Sequence, residues 1–354
     1  MKTRAYLVHG LKLTISAQEK VLRALARRLG HFPPAQPGRS SHLRFEFYAV
    51  VDSSQHRVGR PPGPSRRVLE VPGGEARYLD GSRQLYLDFP GRARALCGTE
   101  TGEVRVSYLE SDVSNIELVS YPCFTIPLTE SLKRCGLYMV HAAGLSLDGQ
   151  GLLIAGASGA GKTTLAIALL RDGLGFLGDD TTFLCARAGG LRALAFPDEV
   201  DVTPETASFF PELHHLARAP GARGWPKRPF DPAAVYGERP SWECAPAALV
   251  FPQQVSARRS ALAPMPKAAA LLELMCNVVR TDAHYAQAHL DVLAALVKQC
   301  ACFRLYAARD FEALPALLRP LLKKGRSATG KGQMARAQRR MAEALGQPHP
   351  RQWL

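Results

Sequence analysis

Gly156-Ala157-Ser158-Gly159-Ala160-Gly161-Lys162-Thr163 fits the pattern G-x-x-x-x-G-K-[ST] at every defined position. The spacing has a physical cause. Glycines let the backbone curl so that successive N–H groups point at the oxygens of a phosphate. A helix that starts at the end of the loop adds its own unpaired amides and the positive end of its dipole. Lys162 has the reach to meet the outer phosphates, and Thr163 offers a hydroxyl to a Mg²⁺ ion. The flanks supply the context this chemistry requires. Leu152-Leu153-Ile154-Ala155 before it reads as a buried strand, and residues 162–172 after it read as a helix closed by Asp172-Gly173. Gly156 through Gly161, with Lys162, Thr163 and Thr164, are therefore the candidate nucleotide-binding residues.

Two further features lie close by. Phe176-Leu177-Gly178 reads as a short strand ending in Asp179-Asp180, 17 and 18 residues after Lys162. A strand-end carboxylate beside a phosphate loop serves a metal ion or an incoming hydroxyl. Two adjacent acids can divide that work, one orienting or deprotonating the hydroxyl and the other assisting the metal. Upstream, His141 sits in the apolar run Leu137–Leu147. Taken alone, such a histidine reads as a core residue.

The surrounding pattern predicts a mixed sheet. The runs Leu137–Leu147 and Leu152–Ala155 flank Asp148-Gly149-Gln150-Gly151 and read as a hairpin. A second hairpin, Thr182–Arg187 with Leu191–Phe196, turns at Gly189-Gly190. Residues 127–136 read as a helix closed by Gly136. Thr203-Pro204 reads as a helix start, Ala247–Phe251 as a buried strand, 266–280 and 284–299 as helices, 302–307 as a strand and 310–322 as a last helix. Hairpins next to the glycine loop, with strands and helices alternating irregularly, predict an α/β fold with a mixed rather than all-parallel sheet. The first ~120 residues differ: a helix over 12–30, Pro/Gly-rich stretches at 32–38 and 60–64, and β-like runs at 45–51, 83–89 and 104–109 predict a small, mostly antiparallel module. The expected organisation is an N-terminal module over 1–124, a nucleotide-binding domain over 125–322 and a basic tail over 323–354.

Composition bounds the function. The chain has 354 residues, 46% of them hydrophobic and 21% charged, which suits a globular protein with a sizeable core. No stretch approaches the ~20 apolar residues of a membrane helix, and the N-terminus lacks a secretory pattern. The net charge is +14, and residues from Lys323 onward contribute half of it, with eight basic residues against Glu343. The tail brings no nucleic-acid reading motif and no aromatic–basic interleaving, so nucleic acid is not the expected partner. Lys227, Arg228 and Arg223 form a basic loop able to meet phosphate or an acidic substrate, and Arg280 reads as a helix-end cation. None of the eight cysteines forms C-x-x-C. Most sit in apolar runs, Met275-Cys276 among them, and read as reduced core thiols of a cytoplasmic protein.

In combination, His141-Ala142-Ala143-Gly144, the hairpin, the glycine loop and Phe176-Leu177-Gly178-Asp179-Asp180 resemble the catalytic core of the bacterial HPr kinase/phosphorylase and HPr-kinase-related proteins. The match covers about 45 residues, roughly 137–183, and its spacings agree. The resemblance implies a P-loop kinase core that is also like that of phosphoenolpyruvate carboxykinases. It implies transfer of a nucleotide's terminal phosphoryl group to a serine hydroxyl of a protein or peptide, with Lys162 on the phosphates and Asp179 as base, supported by Asp180 and His141. The implied cofactors are ATP, with GTP left open, and Mg²⁺, for which Thr163 and Asp180 are candidate ligands. The family's second signature after the double aspartate is missing. In its place stands Phe196-Pro197-Asp198-Glu199-Val200-Asp201-Val202, where Glu199, or Asp201 in its stead, is the candidate third metal ligand. The N-terminal region has no counterpart in that family, so an acceptor other than HPr is expected. Members often form oligomers, which makes a homo-oligomer an expectation here. Two alternatives stay open: a nucleotide-binding sensor without transfer, and a P-loop ATPase or small-molecule kinase. Removal of residues 324–354 is expected to leave nucleotide affinity unchanged in a titration, and loss of binding would show that the domain runs further.

Overall fold

A computed structural model describes residues 1–36, 41–111, 115–219, 227–237, 241–278 and 282–323. Arg223, Arg280 and the basic tail beyond Lys323 lie outside the described residues. The chain divides into two compact units: Met1–Tyr138 with Val279–His289, and Met139–Val278 with Leu290 onward.

The first unit is built on an eight-stranded sheet. Its strands are β1 (Lys2–Val8), β2 (Leu11–Ala17), β3 (Leu43–Val50), β4 (Arg66–Val71), β5 (Gly74–Leu79), β6 (Gln84–Phe89), β7 (Ala93–Gly98) and β8 (Glu103–Leu109), in the order β1-β2-β3-β8-β7-β6-β5-β4. Pairing is antiparallel except for β2 with β3 and β3 with β8. Helices α1 (Glu19–Leu29), α2 (Asn115–Ser120) and α3 (Pro122–Lys133) accompany it. The helix expected over 12–30 is confined to α1. Residues 11–17 instead pair with β1, because Leu13, Ile15 and Ala17 recur at period two and bury together, with His9 and Gly10 turning the chain at positive φ. α3 ends near Gly136, as expected, but starts at Pro122 and carries Pro127 inside.

The second unit has a nine-stranded mixed sheet. The strands are β9 (Tyr138–Val140), β10 (Ala142–Leu147), β11 (Gln150–Ala155), β12 (Gly175–Gly178), β13 (Thr182–Arg187), β14 (Gly190–Ala195), β17 (Glu243–Gln254), β18 (Ala261–Pro264) and β19 (Ala301–Ala307). A separate ribbon pairs β15 (Val200–Val202) with β16 (Arg228–Phe230). The main sheet runs β12-β10-β11-β17-β14-β13-β9, with β19 also on β17 and β18 on β19. β11, β17 and β19 are mutually parallel, while the hairpins β10–β11 and β13–β14 are antiparallel. The unit is thus α/β with a mixed sheet. Both predicted hairpins form, the first turning at Asp148-Gly149, both at positive φ.

Alternation along β11 sorts the core into two layers. Leu152 and Ile154 pack with Leu165, Ile167 and Leu169 of α4 (Lys162–Arg171) and with Ala207 of α5 (Pro204–Ser208). Leu153 and Ala155 pack on the other face with Ala270 and Leu274 of α8 (Lys267–Met275) and Leu293 and Leu296 of α9 (Ala283–Gln299). The short helices α6 (His214–Arg218), α7 (Pro232–Tyr236) and α10 (Leu314–Leu318) complete the unit. The single helix expected over 310–322 is broken into three short turns. Pro315 and Pro320 withhold the amides that a continuous helix needs. The run 137–147 is also broken: β9 and β10 lie at different places in the sheet, and His141 is the corner between them. Cys276, expected in the core, is exposed; all eight cysteines are free thiols.

Close backbone approach fixes the end of β12. A Cβ at Gly178 would stand 2.5 Å from the Thr181 carbonyl oxygen and 3.0 Å from that of Phe196. Gly178→Ala is expected to cost about 1–3 kcal/mol through overpacking, seen as a lowered Tm. Gly149→Ala has free space around its Cβ and is expected to cost about 1 kcal/mol from its left-handed backbone alone. Equal Tm values for wild type and Gly178→Ala would refute the crowding argument.

Candidate functional site

The sheet brings three chain segments to one edge. β11 ends at Ala155 and the glycine loop follows. β12 is antiparallel to β10, which is antiparallel to β11, so β11 and β12 run the same way. Asp179-Asp180 therefore emerges at the same edge as the loop. β10 starts there, with Ala142 opposite Ala155, and this places His141 beside both. In open α/β sheets the carboxyl edge of parallel strands is where ligands bind.

The loop carries its curl on glycine. Gly159 and Gly161 have φ of 80° and 96°, values that an L side chain resists. α4 starts directly at Lys162, and Gly161 at its cap provides no side chain for the first-turn amides. By contrast, Thr203 and Asp231 cap α5 and α7 with side-chain oxygens. The first turn of α4 thus keeps donors available to an anion. Ala157, Ser158 and Gly159 are exposed, whereas Gly156 and Lys162 are buried. The Lys162 ammonium donates to the carbonyls of Gly156 at 2.9 Å and Ala157 at 3.2 Å. An ammonium has three protons, so one donor position remains beyond these two carbonyls.

Thr163 and Asp179 meet directly. The Thr163 hydroxyl donates to Asp179 Oδ2 at 2.8 Å. Asp179 is 7% exposed, and its Oδ1 is buried with no hydrogen-bond partner among the described residues. Burial, reinforced by the neighbouring Asp180 carboxylate, pushes the Asp179 carboxyl up from 3.8 to about 7. Asp180 is more open. His141 reaches it twice, with Nδ1 at 3.0 Å from the Asp180 carbonyl and Nε2 at 3.6 Å from Oδ1. A carbonyl oxygen only accepts, so Nδ1 is the donor. Burial holds the imidazole pKa below its ordinary value, against the pull of Asp180. With Nδ1 committed to the carbonyl, Nε2 is the ring nitrogen that faces the Asp180 side chain. The His141 backbone N–H is held by the Asn277 carbonyl at 3.0 Å.

The structure thus gathers Gly156–Thr164, Asp179, Asp180 and His141 along one edge. The Thr164 hydroxyl lies 3.2 Å from that of Thr206. Glu199 lies just before β15, where its backbone N–H donates to the Asp198 carboxylate. Among the described residues, no three His, Cys, Asp or Glu side chains converge as a ready metal site.

A nucleotide–Mg²⁺ pair fits the donor set on two counts. The buried, unpartnered Oδ1 of Asp179 wants a cation or a hydroxyl proton, and the Thr163 oxygen beside Oδ2 is a hard ligand of the kind Mg²⁺ takes. Two contributors escaped the sequence reading. Gln254, at the end of β17, donates its side-chain amide to the Gly159 carbonyl at 2.9 Å, and Asn277 braces His141. Both depend on which strand and helix ends lie beside the edge, and no local pattern announces that.

No protein-family model matches the chain, and no curated protein does. Among solved structures, the Hpr(Ser) kinase/phosphatase from Coxiella burnetii matches at 19% identity, covering 36% of this chain and 69% of that one, with a TM-score of 0.25. A likeness that loose leaves the site's chemistry to its own geometry. No helix of the described residues is long and apolar enough to cross a membrane.

The raised Asp179 pKa makes a signed prediction. Between 3.8 and about 7 the folded chain holds a proton on Asp179 that the unfolded chain releases. This contribution therefore destabilises the ligand-free protein as pH rises through that window. In urea unfolding, Asp179→Asn is expected to gain stability relative to wild type between pH 5 and pH 8. A difference that stays constant with pH would show that the carboxyl titrates normally.

Proposed function

We propose that the protein transfers the terminal phosphoryl group of a Mg²⁺-bound nucleoside triphosphate, ATP in the first instance, to a serine hydroxyl of a protein or peptide. The observation that carries this reading is Asp179. One oxygen is held by Thr163 at the start of α4, and the other is buried and unpartnered, next to a loop built to receive phosphates. A carboxyl near neutrality is poised to take a proton at physiological pH.

The residues divide the work. The amides of the loop and of the first turn of α4 hold the phosphates, with Thr164 in that turn. Lys162 exchanges its bonds to the Gly156 and Ala157 carbonyls for phosphate oxygens and neutralises charge there. Thr163 and Asp180 are the residues that would hold Mg²⁺, which supplies further neutralisation of the phosphate oxygens. Asp179 Oδ1 accepts the proton of the acceptor hydroxyl. The serine oxygen then bonds to phosphorus while the bond from phosphorus to the bridging oxygen breaks, and the nucleoside diphosphate leaves with the electron pair. His141 fixes the Asp180 backbone through Nδ1, which steadies the segment that carries the two acids. Glu199 has no part in this scheme. Positioning and charge compensation suffice for such a reaction.

The test uses γ-labelled ATP with candidate acceptor proteins and peptides, and mass spectrometry to locate the transferred group. Asp179→Asn is expected to keep nucleotide binding within about threefold and to lower transfer by about 10²-fold or more. Lys162→Ala is expected to weaken both. Wild-type transfer rates in Asp179→Asn would remove the base assignment. Firm nucleotide binding with no transfer to any acceptor would leave a nucleotide-responsive protein instead.

A further inference from the structure

Lys227 and Arg228 are adjacent cations with different commitments. The Arg228 guanidinium binds the Ala219 carbonyl through two nitrogens, at 3.0 and 2.7 Å. Lys227 is half-buried and has no hydrogen bond or ion pair among the described residues. Its position follows from the β15–β16 ribbon. Val202 pairs with Arg228, so Lys227 enters the ribbon beside Thr203. The Thr203 hydroxyl donates to that of Thr206 at 3.1 Å, and Thr206 lies 3.2 Å from the Thr164 hydroxyl. This chain of three hydroxyls fastens that end of the ribbon to the helical turn bearing Lys162 and Thr163. The ammonium of Lys227 acts electrostatically on His141, Lys162 and Asp179, three groups carried by separate segments.

The charges of the site explain what such a lysine is for. Asp179 and Asp180 present two acids, and Lys162 alone opposes them from within the loop. A triphosphate brings further negative charge to the same edge. An uncommitted ammonium on the ribbon side supplies the missing compensation, and a lysine on a flexible stem can follow a group as it moves between two oxygens. We propose that Lys227 binds the terminal phosphoryl group of the nucleotide, meeting it from the ribbon while Lys162 holds it from the loop. The assignment rests on the phosphoryl-transfer reading above. Lys227 acts by charge and hydrogen bonding alone.

The test compares ADP with the non-hydrolysable β,γ-imido analogue of ATP, each titrated with Mg²⁺ into wild type, Lys227→Met, Lys227→Gln and Lys227→Arg by calorimetry. Thermal unfolding of each variant checks the fold. Lys227→Met and Lys227→Gln are expected to lose about tenfold in affinity for the triphosphate analogue, the worth of one charge-assisted hydrogen bond, and less than twofold for ADP. Lys227→Arg is expected to keep most of the triphosphate preference. A purely structural lysine would lower both affinities together. Unchanged preference in folded Lys227→Met, or equal losses for the two nucleotides, overturns the Lys227 assignment and leaves the transfer reading standing. Failure of the wild type to bind either nucleotide overturns that reading and this assignment with it.

Discussion

A carboxyl group enclosed by protein, tied at one oxygen and bare at the other, is the constraint around which the second unit is arranged. A buried polar atom without a partner costs about 1–3 kcal/mol. The chain sustains that cost at Asp179 because the surrounding structure leaves the group nowhere else to go. Gly178 is hemmed in by two carbonyl oxygens, and the next element, β13, starts at Thr182. The Thr182 hydroxyl closes back on the Ala142 carbonyl at 3.0 Å. The turn between β12 and β13 is consequently too short and too crowded to swing the acid out to solvent.

The sheet converts this local enclosure into a shared site. Because β10 separates β11 from β12, the helix α4 must carry the chain over one intervening strand, and the two same-direction strands finish at the same edge with β10 between them. The approach is close enough that both facing positions are glycine: Gly144 pairs with Gly178, and a Cβ at Gly144 would meet the Thr182 hydroxyl at 2.8 Å and the Leu177 Cβ at 3.0 Å. Small residues there let the acid-bearing strand press against β10. The two apolar layers on either face make the arrangement stiff, as preorganised electrostatic sites require.

Much of this unit is legible in its sequence, because its signals are local. The glycine loop, the Asp148-Gly149 and Gly189-Gly190 turns, the Thr203 cap and the helix after Lys162 each announce themselves within ten residues. The break at His141 does not. An unbroken apolar run carries no mark of a chain that leaves one place in the sheet and re-enters at another, so the histidine at the corner looks like core. The 11–17 strand misleads for a related reason. Leu13 and Ile15 stand two apart, a strand spacing, but they run without a break marker into the helical series Val21, Leu22, Leu25 and Leu29, and only pairing with β1 separates the two elements. The contacts of Gln254 with the loop and of Asn277 with His141 are long-range consequences of strand order, which no window of sequence contains.

The amide of Gln254 has a consequence for the loop it touches. β17 lies between β11 and β19 in the middle of the sheet, yet its last side chain is exposed and grips the loop by one bond to Gly159. The loop is therefore moored like a boat at a fixed pier: its tip is tied to a central strand and can be slipped free by any group that competes for one carbonyl. Release of the tip requires the surrender of a single surface contact, separate from the Lys162 bonds at the loop's root, with the framework beneath left undisturbed.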